Sequence, residues 1–420
     1  MLQKLKKGIK YFLHKLEKFF KTDMIYIFKN ISWLSGKSIV SSTAAFILAI
    51  AFANLIPKET YGTYQYVKSI IGFLAIFSLP GLGNSITRSV AKGFEGIYDS
   101  AFKVKLKWGV LTLLGGILIS GYYFFQDNLT LSLALLIPAF LMPIKQAFDI
   151  YESFLSGKKK FSLLTKSSIF EQFIAATTVV SVLLYTDSLI LIILSYYGIW
   201  TILAIFFFFY FKKNIDKNKK KEKGVMSYGK HLSLMRFITS LSNTMEKVIL
   251  WHFVGPVALA TYSFGVKPVK EIRTFLFKNL TSVAFPKLSE KKMETLQKTL
   301  PGKILKSLLI IVPIVLLYIL LAPYLYKMFF PKYMDAILIS QVFVLTLLFG
   351  PKNFLHDALT AQKKIKSKYI IDITSSITKI ISLLILIPTF QIWGLIGSIF
   401  ITNIVATIII SIFFLKIRIN

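Results

Sequence analysis

Short charged segments divide the sequence into apolar runs that are each long enough to cross a lipid bilayer. A helix needs roughly 20 apolar residues to span a hydrocarbon core about 30 Å thick. The 420-residue chain is 55% hydrophobic, with a mean hydropathy of +0.64. We therefore predict an all-α polytopic membrane protein with 12 transmembrane helices. The predicted spans lie near 32–55, 65–86, 106–125, 129–148, 163–185, 189–211, 232–253, 258–281, 305–325, 336–356, 369–388 and 393–415.

The formal net charge of +32 comes from lysines and arginines that lie mostly between the apolar runs. This placement argues against nucleic acid as a partner. With the N-terminus in the cytoplasm, nearly all basic connections fall on the cytoplasmic side, including "KKNIDKNKKKEK" in the middle of the chain. Because cytoplasmic loops carry an excess of Lys and Arg, we expect both termini in the cytoplasm and an even number of spans.

An internal repeat suggests how the spans are grouped. The segments "IPKETYGTYQYV" and "GPVALATYSFGV" follow the first and seventh runs and place a Thr-Tyr pair in matching positions. We predict two six-helix lobes related by a pseudo-two-fold axis along the membrane normal, with a transport path between them. The expected divisions are a basic amphipathic helix on the cytoplasmic membrane surface at 1–30, an N-lobe at 31–211, a basic linker at 212–231 and a C-lobe at 232–420.

Several spans carry charged residues on one helical face. In the seventh, Arg236, Ser240, Asn243 and Lys247 recur at steps of four, three and four. Charges at the bilayer centre cost about 2.5–3.5 kcal/mol each on insertion scales, so such faces should line a polar cavity. Comparable stripes occur in the fifth, eighth and eleventh spans: Ser168, Glu171, Ala175 and Thr178; Lys267, Lys270, Glu271, Thr274 and Lys278; Asp372, Ser375, Lys379 and Ser382.

A second interpretation of these charges remains open. Lysines and arginines near the cytoplasmic ends of spans can extend to the interface instead of entering a cavity. This applies to Lys37, Lys166, Lys278, Lys306 and Arg236. Glu271 can likewise be a structural partner of Lys267 one turn earlier.

Enzymatic motifs are missing from the sequence. It contains no cysteine, its four histidines have no metal-ligand spacing, and it has no phosphate-binding loop. The predicted outer connections are short and leave no room for an external catalytic domain. We therefore expect no catalytic residues, no metal, no cofactor and no enzymatic activity.

The segment from Tyr228 to Glu290 resembles the central signature of Wzx-type polysaccharide flippases of the MOP (multidrug/oligosaccharidyl-lipid/polysaccharide) superfamily. Glu246 and Lys247 stand where that family has an acidic-basic pair, and "PKLS" matches its closing motif. Ala260 precedes Thr261-Tyr262 where the family has a glycine. The segment "GLGNSITRSVAKG" resembles the first-lobe signature and aligns Arg88 with the family's arginine.

The resemblance implies a MATE-like fold and a flippase in the bacterial cytoplasmic (inner) membrane, acting in O-antigen or related polysaccharide biosynthesis. It would move undecaprenyl-pyrophosphate-linked oligosaccharide from the inner to the outer leaflet by alternating access. Expected partners are this lipid-linked oligosaccharide, membrane lipids, a polysaccharide polymerase and glycosyltransferases. A multidrug or organic-ion exporter of the same superfamily and a membrane polysaccharide polymerase or glycosyltransferase are the alternatives.

The predicted site residues fall into three groups. A pyrophosphate is a dense anion, which cationic side chains in a cavity would attract. Carboxylates among the spans are candidates for coupling to a proton or Na⁺. The cationic set is Arg88, Arg236, Lys247, Lys267, Lys270 and Lys37; the polar lining is Ser240, Asn243 and Thr274; the coupling candidates are Glu246, Glu271, Glu171 and Asp372.

Overall fold

The computed structural model describes residues 24–215, 218–220, 222, 224–235, 237–278, 288, 293–362 and 364–416. Side chains are described from residue 40 onward, except those of 235, 278, 361 and 365. Within these ranges the chain is helical and contains no strand. The predicted surface helix at 1–30 lies, up to residue 23, outside the described residues.

The first half of the chain forms eight helices. Two of them, α3 and α6, are short and follow spans that end near the same side of the molecule. The helices are α1 (Met24–Leu55), α2 (Lys58–Leu74), α3 (Leu82–Ala91), α4 (Ile97–Phe125), α5 (Leu129–Phe148), α6 (Ile150–Gly157), α7 (Phe161–Tyr185) and α8 (Leu189–Asn214).

The second half repeats this order of long and short helices. It comprises α9 (Val225–Met235), α10 (Phe237–Val254), α11 (Pro256–Arg273), α12 (Met293–Phe329), α13 (Ile337–Val344), α14 (Lys352–Ala361) and α15 (Ile365–Lys416). Gln391 breaks α15 with φ 53° and ψ −126°. The chain reverses direction at this break. Ile371 and Ile410, which lie on either side of it, therefore pack in one apolar cluster.

Three predicted spans are not continuous α-helices in the structure. The span at 65–86 is not one helix: α2 ends at Leu74, a 3₁₀ turn follows at Ala75–Ser78, and α3 begins after Pro80 with a bend of 47°. Proline lacks the backbone N–H that would continue the helix. The span at 258–281 changes to a π-helical turn after Arg273, and the span at 336–356 is interrupted near Gly350, before α14.

By length and composition, seven helical segments among the described residues can cross a membrane, or eight if the bent pair α2–α3 is one span. α15 counts once in this total although it folds back on itself. α10 and α11 are not among the seven, and both carry charged residues between their ends. The prediction of an all-α, multi-pass membrane protein is confirmed, and the charged helices depend on protein neighbours instead of lipid.

The two halves contact each other at both ends of the helices. At the end where α2 and α11 begin, a side chain on Gly62 would lie 1.9 Å from the Pro256 carbonyl oxygen, so the backbones touch. At the opposite end the Gly81 N–H donates to Ser233 Oγ at 2.9 Å, which joins α3 to α9. Glycine permits both approaches because it lacks a Cβ.

The segment between α8 and α9 is held against the start of α4. The Gly96 N–H donates to the Lys220 carbonyl at 2.9 Å, and Lys92 Nζ lies 2.7 Å from Glu222 Oε1. The hydrogen bond from Lys92 holds the pKa of the Glu222 carboxyl below its usual value. The described part of the basic linker is therefore tied to the first half of the chain.

Candidate anion-binding site between the two halves

Glu246 is a buried carboxylate near the middle of α10. It lies roughly 12–14 Å from either end of that helix, at about 1.5 Å per residue. Lys379 Nζ of α15 lies 2.8 Å from its Oε2, and Lys270 Nζ of α11 lies 3.5 Å from its Oε1. Buried charges are stable in proteins only when paired, so these two lysines account for the position of Glu246.

Lys247 points from the same helix toward the other half of the chain. Its Nζ donates to Gln65 Oε1 of α2 at 3.1 Å, and the Gln65 amide donates to the Tyr61 hydroxyl at 2.8 Å. Lys267 of α11 also crosses between the halves, because its Nζ donates to the Ala45 carbonyl of α1 at 3.4 Å. Both lysines are therefore located where the halves meet.

A third lysine of this interface, Lys68, is on α2. Its ammonium lies 5.1 Å from the ring centre of Tyr196 and 5.8 Å from that of Tyr64, as in cation–π contacts. Its charge interacts electrostatically with those of Lys247 and Lys267. We call Lys68, Lys247, Lys267, Lys270 and Lys379 the central lysine cluster.

The central lysine cluster has more positive charge than its surroundings neutralise. Lys270 and Lys379 lie within 4.0 Å of Glu246, and the charge of the exposed Glu271 acts on Lys267. The hydrogen bonds and cation–π contacts described above for Lys68, Lys247 and Lys267 are to neutral groups. Electrostatic attraction is stronger in the low-dielectric interior of the protein than in water. The ammonium groups of the cluster therefore favour binding of an anion that balances their excess positive charge. The arrangement is thus suited to bind a polyanion such as a phosphate ester.

A polar cavity of about 430 Å³ opens beside the cluster within the second half of the chain. Asn243 lines it and accepts a hydrogen bond from Lys379 at 3.0 Å. Further along the cavity, Lys352 Nζ donates to Asn403 Oδ1 at 2.7 Å. The remaining polar lining comes from Thr239, Ser242, Glu246, Lys270, Arg273, Asp372, Ser375, Ser376, Lys379 and Thr402.

A second polar cavity, of about 570 Å³, lies in the first half of the chain. Its lining includes Lys105 of α4, Gln146 of α5, Glu152 of α6 and Asp149, which lies between α5 and α6. A third cavity of about 300 Å³, lined by Lys68, Met142, Lys145, Tyr196, Tyr197 and Trp200, shares Gly72 with it. Lys68, a member of the central lysine cluster, therefore lines a cavity that adjoins the polar cavity of the first half at Gly72.

The structure brings part of the predicted site together. Lys247, Lys267, Lys270 and Glu246 meet in the cluster, and Asn243 lies next to it. Ser240, by contrast, lines the cavity of the first half.

Other predicted residues lie elsewhere. Arg88 packs over the Tyr228 ring at the contact between α3 and α9, with 5.6 Å from guanidinium carbon to ring centre. Thr274 is exposed and bonds the Lys270 carbonyl at 2.9 Å, and Glu271 is exposed. Arg236 and the Lys37 side chain lie outside the described residues.

Of the remaining coupling candidates, Asp372 lines the cavity beside the cluster and Glu171 lies in the other half of the chain. Glu171 is buried in the first half, where it accepts a hydrogen bond from the Tyr151 hydroxyl. Asp372 Oδ1 lies 3.2 Å from His356 Nε2. In the part of the chain that the structure describes, no group of three or more His, Cys, Asp or Glu residues could hold a metal ion.

Two members of the cluster, Lys68 and Lys379, are not in the cationic set predicted from the sequence. Lys379 was identified only as part of a polar stripe, and Lys68 not at all. Lys68 could have been identified as a single lysine inside an otherwise uncharged segment, because α2 has no other charge between Glu59 and its last turn. Its significance depends on the neighbours Lys247 and Lys267, which are distant in the sequence.

Comparison with known proteins agrees with the membrane architecture. The sequence matches the model of the family described as polysaccharide biosynthesis protein over residues 27–292. No curated protein matches the sequence at a significant level.

Several solved structures share the fold. A lipid II flippase, MurJ, in an inward closed conformation, has a TM-score of 0.67 at 14% identity, covering 91% of this chain and 87% of its own. An inward-facing multidrug resistance transporter of the MATE family has a TM-score of 0.62 at 13% identity, covering 92% and 97%. A MOP superfamily transporter from Pyrococcus furiosus has a TM-score of 0.60 at 15% identity, covering 93% and 94%. At such identities the likeness establishes a common fold.

Proposed function

The chain belongs to the polysaccharide biosynthesis protein family, and from that premise we propose that it is a flippase for undecaprenyl-pyrophosphate-linked oligosaccharide. It would move this glycolipid from the inner to the outer leaflet of a bacterial cytoplasmic membrane, with both termini in the cytoplasm. The observation that carries the proposal is the central lysine cluster at the meeting point of the two halves.

The charge of the cluster matches the charge of the proposed headgroup. A pyrophosphate linked at both ends carries two negative charges, which the excess positive charge of the cluster is large enough to balance. The buried ammonium groups would replace the water that the pyrophosphate loses inside the membrane. The undecaprenyl chain needs no polar site, because it can remain in the bilayer beside the protein.

Transport of this headgroup requires that the cluster open to each side in turn. We assign the moving units to an N-lobe of 31–211 and a C-lobe of 232–420, joined by the linker at 212–231. Contacts at both ends of the interface support this assignment, including the ion pair of Lys58 Nζ and Asp335 Oδ2 at 2.8 Å. Such an exposed pair contributes only about 0.2–1 kcal/mol, so it can break and reform during each cycle.

The energy for transport would come from a coupling ion, either a proton or Na⁺. Candidate carboxylates are Glu246, Glu271, Glu171 and Asp372. Glu246 is the least suited of the four, because two lysines already neutralise it. Glu171 and Asp372 each have one hydrogen-bonded partner that can itself donate or accept a proton, Tyr151 and His356.

The alternative of a multidrug exporter fits the site less well. Organic cations would be repelled by five ammonium groups, which outnumber the carboxylates of Glu246 and Glu271. A transporter for organic anions is compatible with the charge of the cluster. The experiment below distinguishes it, because surface polysaccharide depends on transport of a lipid-linked substrate and not on transport of organic anions.

Replacing Lys247 or Lys267 with alanine tests the proposal in a host that lacks its own flippase. We expect surface polysaccharide to fall about tenfold or more, since each lysine removed leaves the pyrophosphate one partner short. Lys327→Ala is the matched control, because this lysine is exposed on the surface. Normal surface polysaccharide in both variants, at wild-type protein levels, would contradict the proposal.

A partner test follows from the same proposal. The glycosyltransferases that build the oligosaccharide and the polymerase that extends it should act before and after this protein. A strain that lacks the protein should accumulate lipid-linked oligosaccharide in the inner leaflet. Absence of accumulation, in a strain whose glycosyltransferases are active, would contradict the assignment.

A further inference from the structure

We propose that the cavity in the first half of the chain binds the uncharged sugar residues of the substrate, separately from its pyrophosphate. We call it the sugar chamber and define it by Lys105, Gln146, Asp149, Glu152, Ser153 and Ser156. The inference rests on the proposed function, which it extends from the phosphate to the glycan.

The sugar chamber offers hydrogen-bonding groups of both kinds. Carboxylate oxygens of Asp149 and Glu152 accept hydrogen bonds, and the Gln146 amide and the serine hydroxyls can donate or accept. Asn84 and Thr87 of α3 and Ser240 of α10 line it as well. Since sugar hydroxyls also donate and accept, a chamber with this mixture is chemically complementary to a glycan.

Its charge distinguishes it from the central lysine cluster. Lys145 forms an ion pair with Asp149, and Lys105 Nζ donates a hydrogen bond to the Gln146 carbonyl at 2.9 Å. Asp149 and Glu152 therefore offset the two lysines, whereas only Glu246 and the exposed Glu271 accompany the five lysines of the cluster. A pyrophosphate would be attracted to the cluster and not to the chamber, so the two parts of the substrate would separate by charge.

Aromatic residues line the passage between the two sites. Tyr196 and Trp200 are on one side of α8, with Lys68 at the cluster end and Lys145 at the chamber end. Lys145 Nζ lies 5.5 Å from the Trp200 ring centre. Sugar rings present an apolar C–H face to which aromatic side chains are suited, and apolar walls with a few polar groups are typical of small-molecule sites.

Gly72 keeps this passage open. It lines both the chamber and the aromatic cavity, and a Cβ placed on it would have no heavy atom within 4 Å. The combined space of about 570 Å³ and about 300 Å³ is within the range of roughly 300–1,000 Å³ for small-molecule sites. A glycan attached to a pyrophosphate at the cluster can therefore extend through the passage into the chamber.

Two probes separate the sugar chamber from the phosphate site. One is the undecaprenyl-pyrophosphate-linked oligosaccharide extracted from a host strain that lacks this protein, and the other is undecaprenyl pyrophosphate without sugar. Binding of each to the full chain in lipid nanodiscs is measured by native mass spectrometry. Wild-type protein should bind the glycolipid at least tenfold more tightly than the sugar-free lipid.

Two variants remove the sugar contribution by different means. Glu152→Gln removes a charge from the chamber, and Gly72→Leu fills the passage where the structure has free space. Both should weaken glycolipid binding about tenfold and leave binding of undecaprenyl pyrophosphate within twofold of wild type. The latter result also shows that the variants are folded.

The controls are Glu294→Gln, at an exposed carboxylate of α12, and Gly121→Leu, at a glycine of α4 where an added Cβ would likewise meet no heavy atom within 4 Å. Neither should change binding of either lipid. Lys247→Ala should weaken binding of both lipids.

The outcomes separate this inference from the proposed function. If both lipids bind but Glu152→Gln and Gly72→Leu leave the preference for the glycolipid unchanged, the sugar chamber is wrong and the flippase proposal stands. If wild-type protein binds neither lipid, the proposed function is wrong. Equal weakening of both lipids by the two chamber variants would also overturn the inference.

Discussion

Lys379 on α15 forms a buried ion pair with Glu246 on α10, with 2.8 Å between Nζ and Oε2. The pair lies at the centre of the helices and connects two elements that are far apart in the chain. Asn243, one turn before Glu246, accepts a second hydrogen bond from the same ammonium. The pair thus fixes how α15 packs on α10 and holds the carboxylate that partly neutralises the central lysine cluster.

Removing one member of this pair should destabilise the protein more than removing both. Glu246→Gln or Lys379→Gln leaves an uncompensated buried charge, which typically costs about 3–5 kcal/mol. The double variant leaves two neutral side chains, and we expect it to recover part of the lost thermal stability. Unfolding of the four proteins, followed by loss of monodisperse protein on heating, gives the coupling energy. Additive losses would show that the pair is not coupled.

Lys68 should favour function at the expense of stability. Because Lys68 repels Lys247 and Lys267, Lys68→Gln should raise the unfolding temperature and lower binding of undecaprenyl pyrophosphate severalfold. Lys327→Gln, at an exposed lysine of α12, should change neither quantity. A lower unfolding temperature for Lys68→Gln would show that its contacts with Tyr64 and Tyr196 outweigh the repulsion.

The contact between Lys58 and Asp335 should control access from one side of the membrane. Since the natural chain has no cysteine, Ser240→Cys introduces a single thiol on the wall of the first-half cavity. Adding Lys58→Ala should increase its labelling by an impermeant maleimide from outside the cell severalfold, in line with about 0.2–1 kcal/mol for an exposed pair. Labelling that stays at the level of a Lys327→Ala control would refute this role.

Gly62 should be needed for close contact of the halves at the same end. Alanine there would meet the Pro256 carbonyl, and overpacking of this kind costs about 1–3 kcal/mol. We expect Gly62→Ala to lower thermal stability and to increase outside labelling of the Ser240→Cys thiol. Gly121→Ala is the matched control, and it should be neutral or slightly stabilising because alanine favours a helix. Equal unfolding temperatures for the two variants would contradict the close contact.

The candidate coupling carboxylates can be distinguished by how their substitution changes the dependence of transport on proton and Na⁺ gradients. Transport is measured in proteoliposomes with an imposed gradient of either ion. If Glu171 takes up the ion, Glu171→Gln should abolish the dependence on the gradient, and Asp372→Asn should retain it. The opposite result would assign coupling to Asp372. Gradient dependence in both variants would remove both residues from the list of candidates.

Features that depend on neighbouring residues in the chain were predictable from the sequence. Hydropathy over about 20 residues identified the membrane-crossing segments, and α4, α5, α7 and α8 lie where the apolar runs predict them. The Glu246-Lys247 pair was noted because charges inside an apolar run are costly and require a polar environment. The break of α2 near Pro80 was harder to predict, since membrane helices often tolerate proline.

The sequence by itself determined that this chain is a bundle of membrane-crossing helices with charges at its centre, because both properties follow from local hydropathy. Only the tertiary structure decided which charges meet. Lys68, Lys247 and Lys379 come from three helices, and their distances depend on how α2, α10 and α15 pack. That packing also separates a cluster of excess positive charge from a chamber whose charges are balanced, which no local pattern encodes.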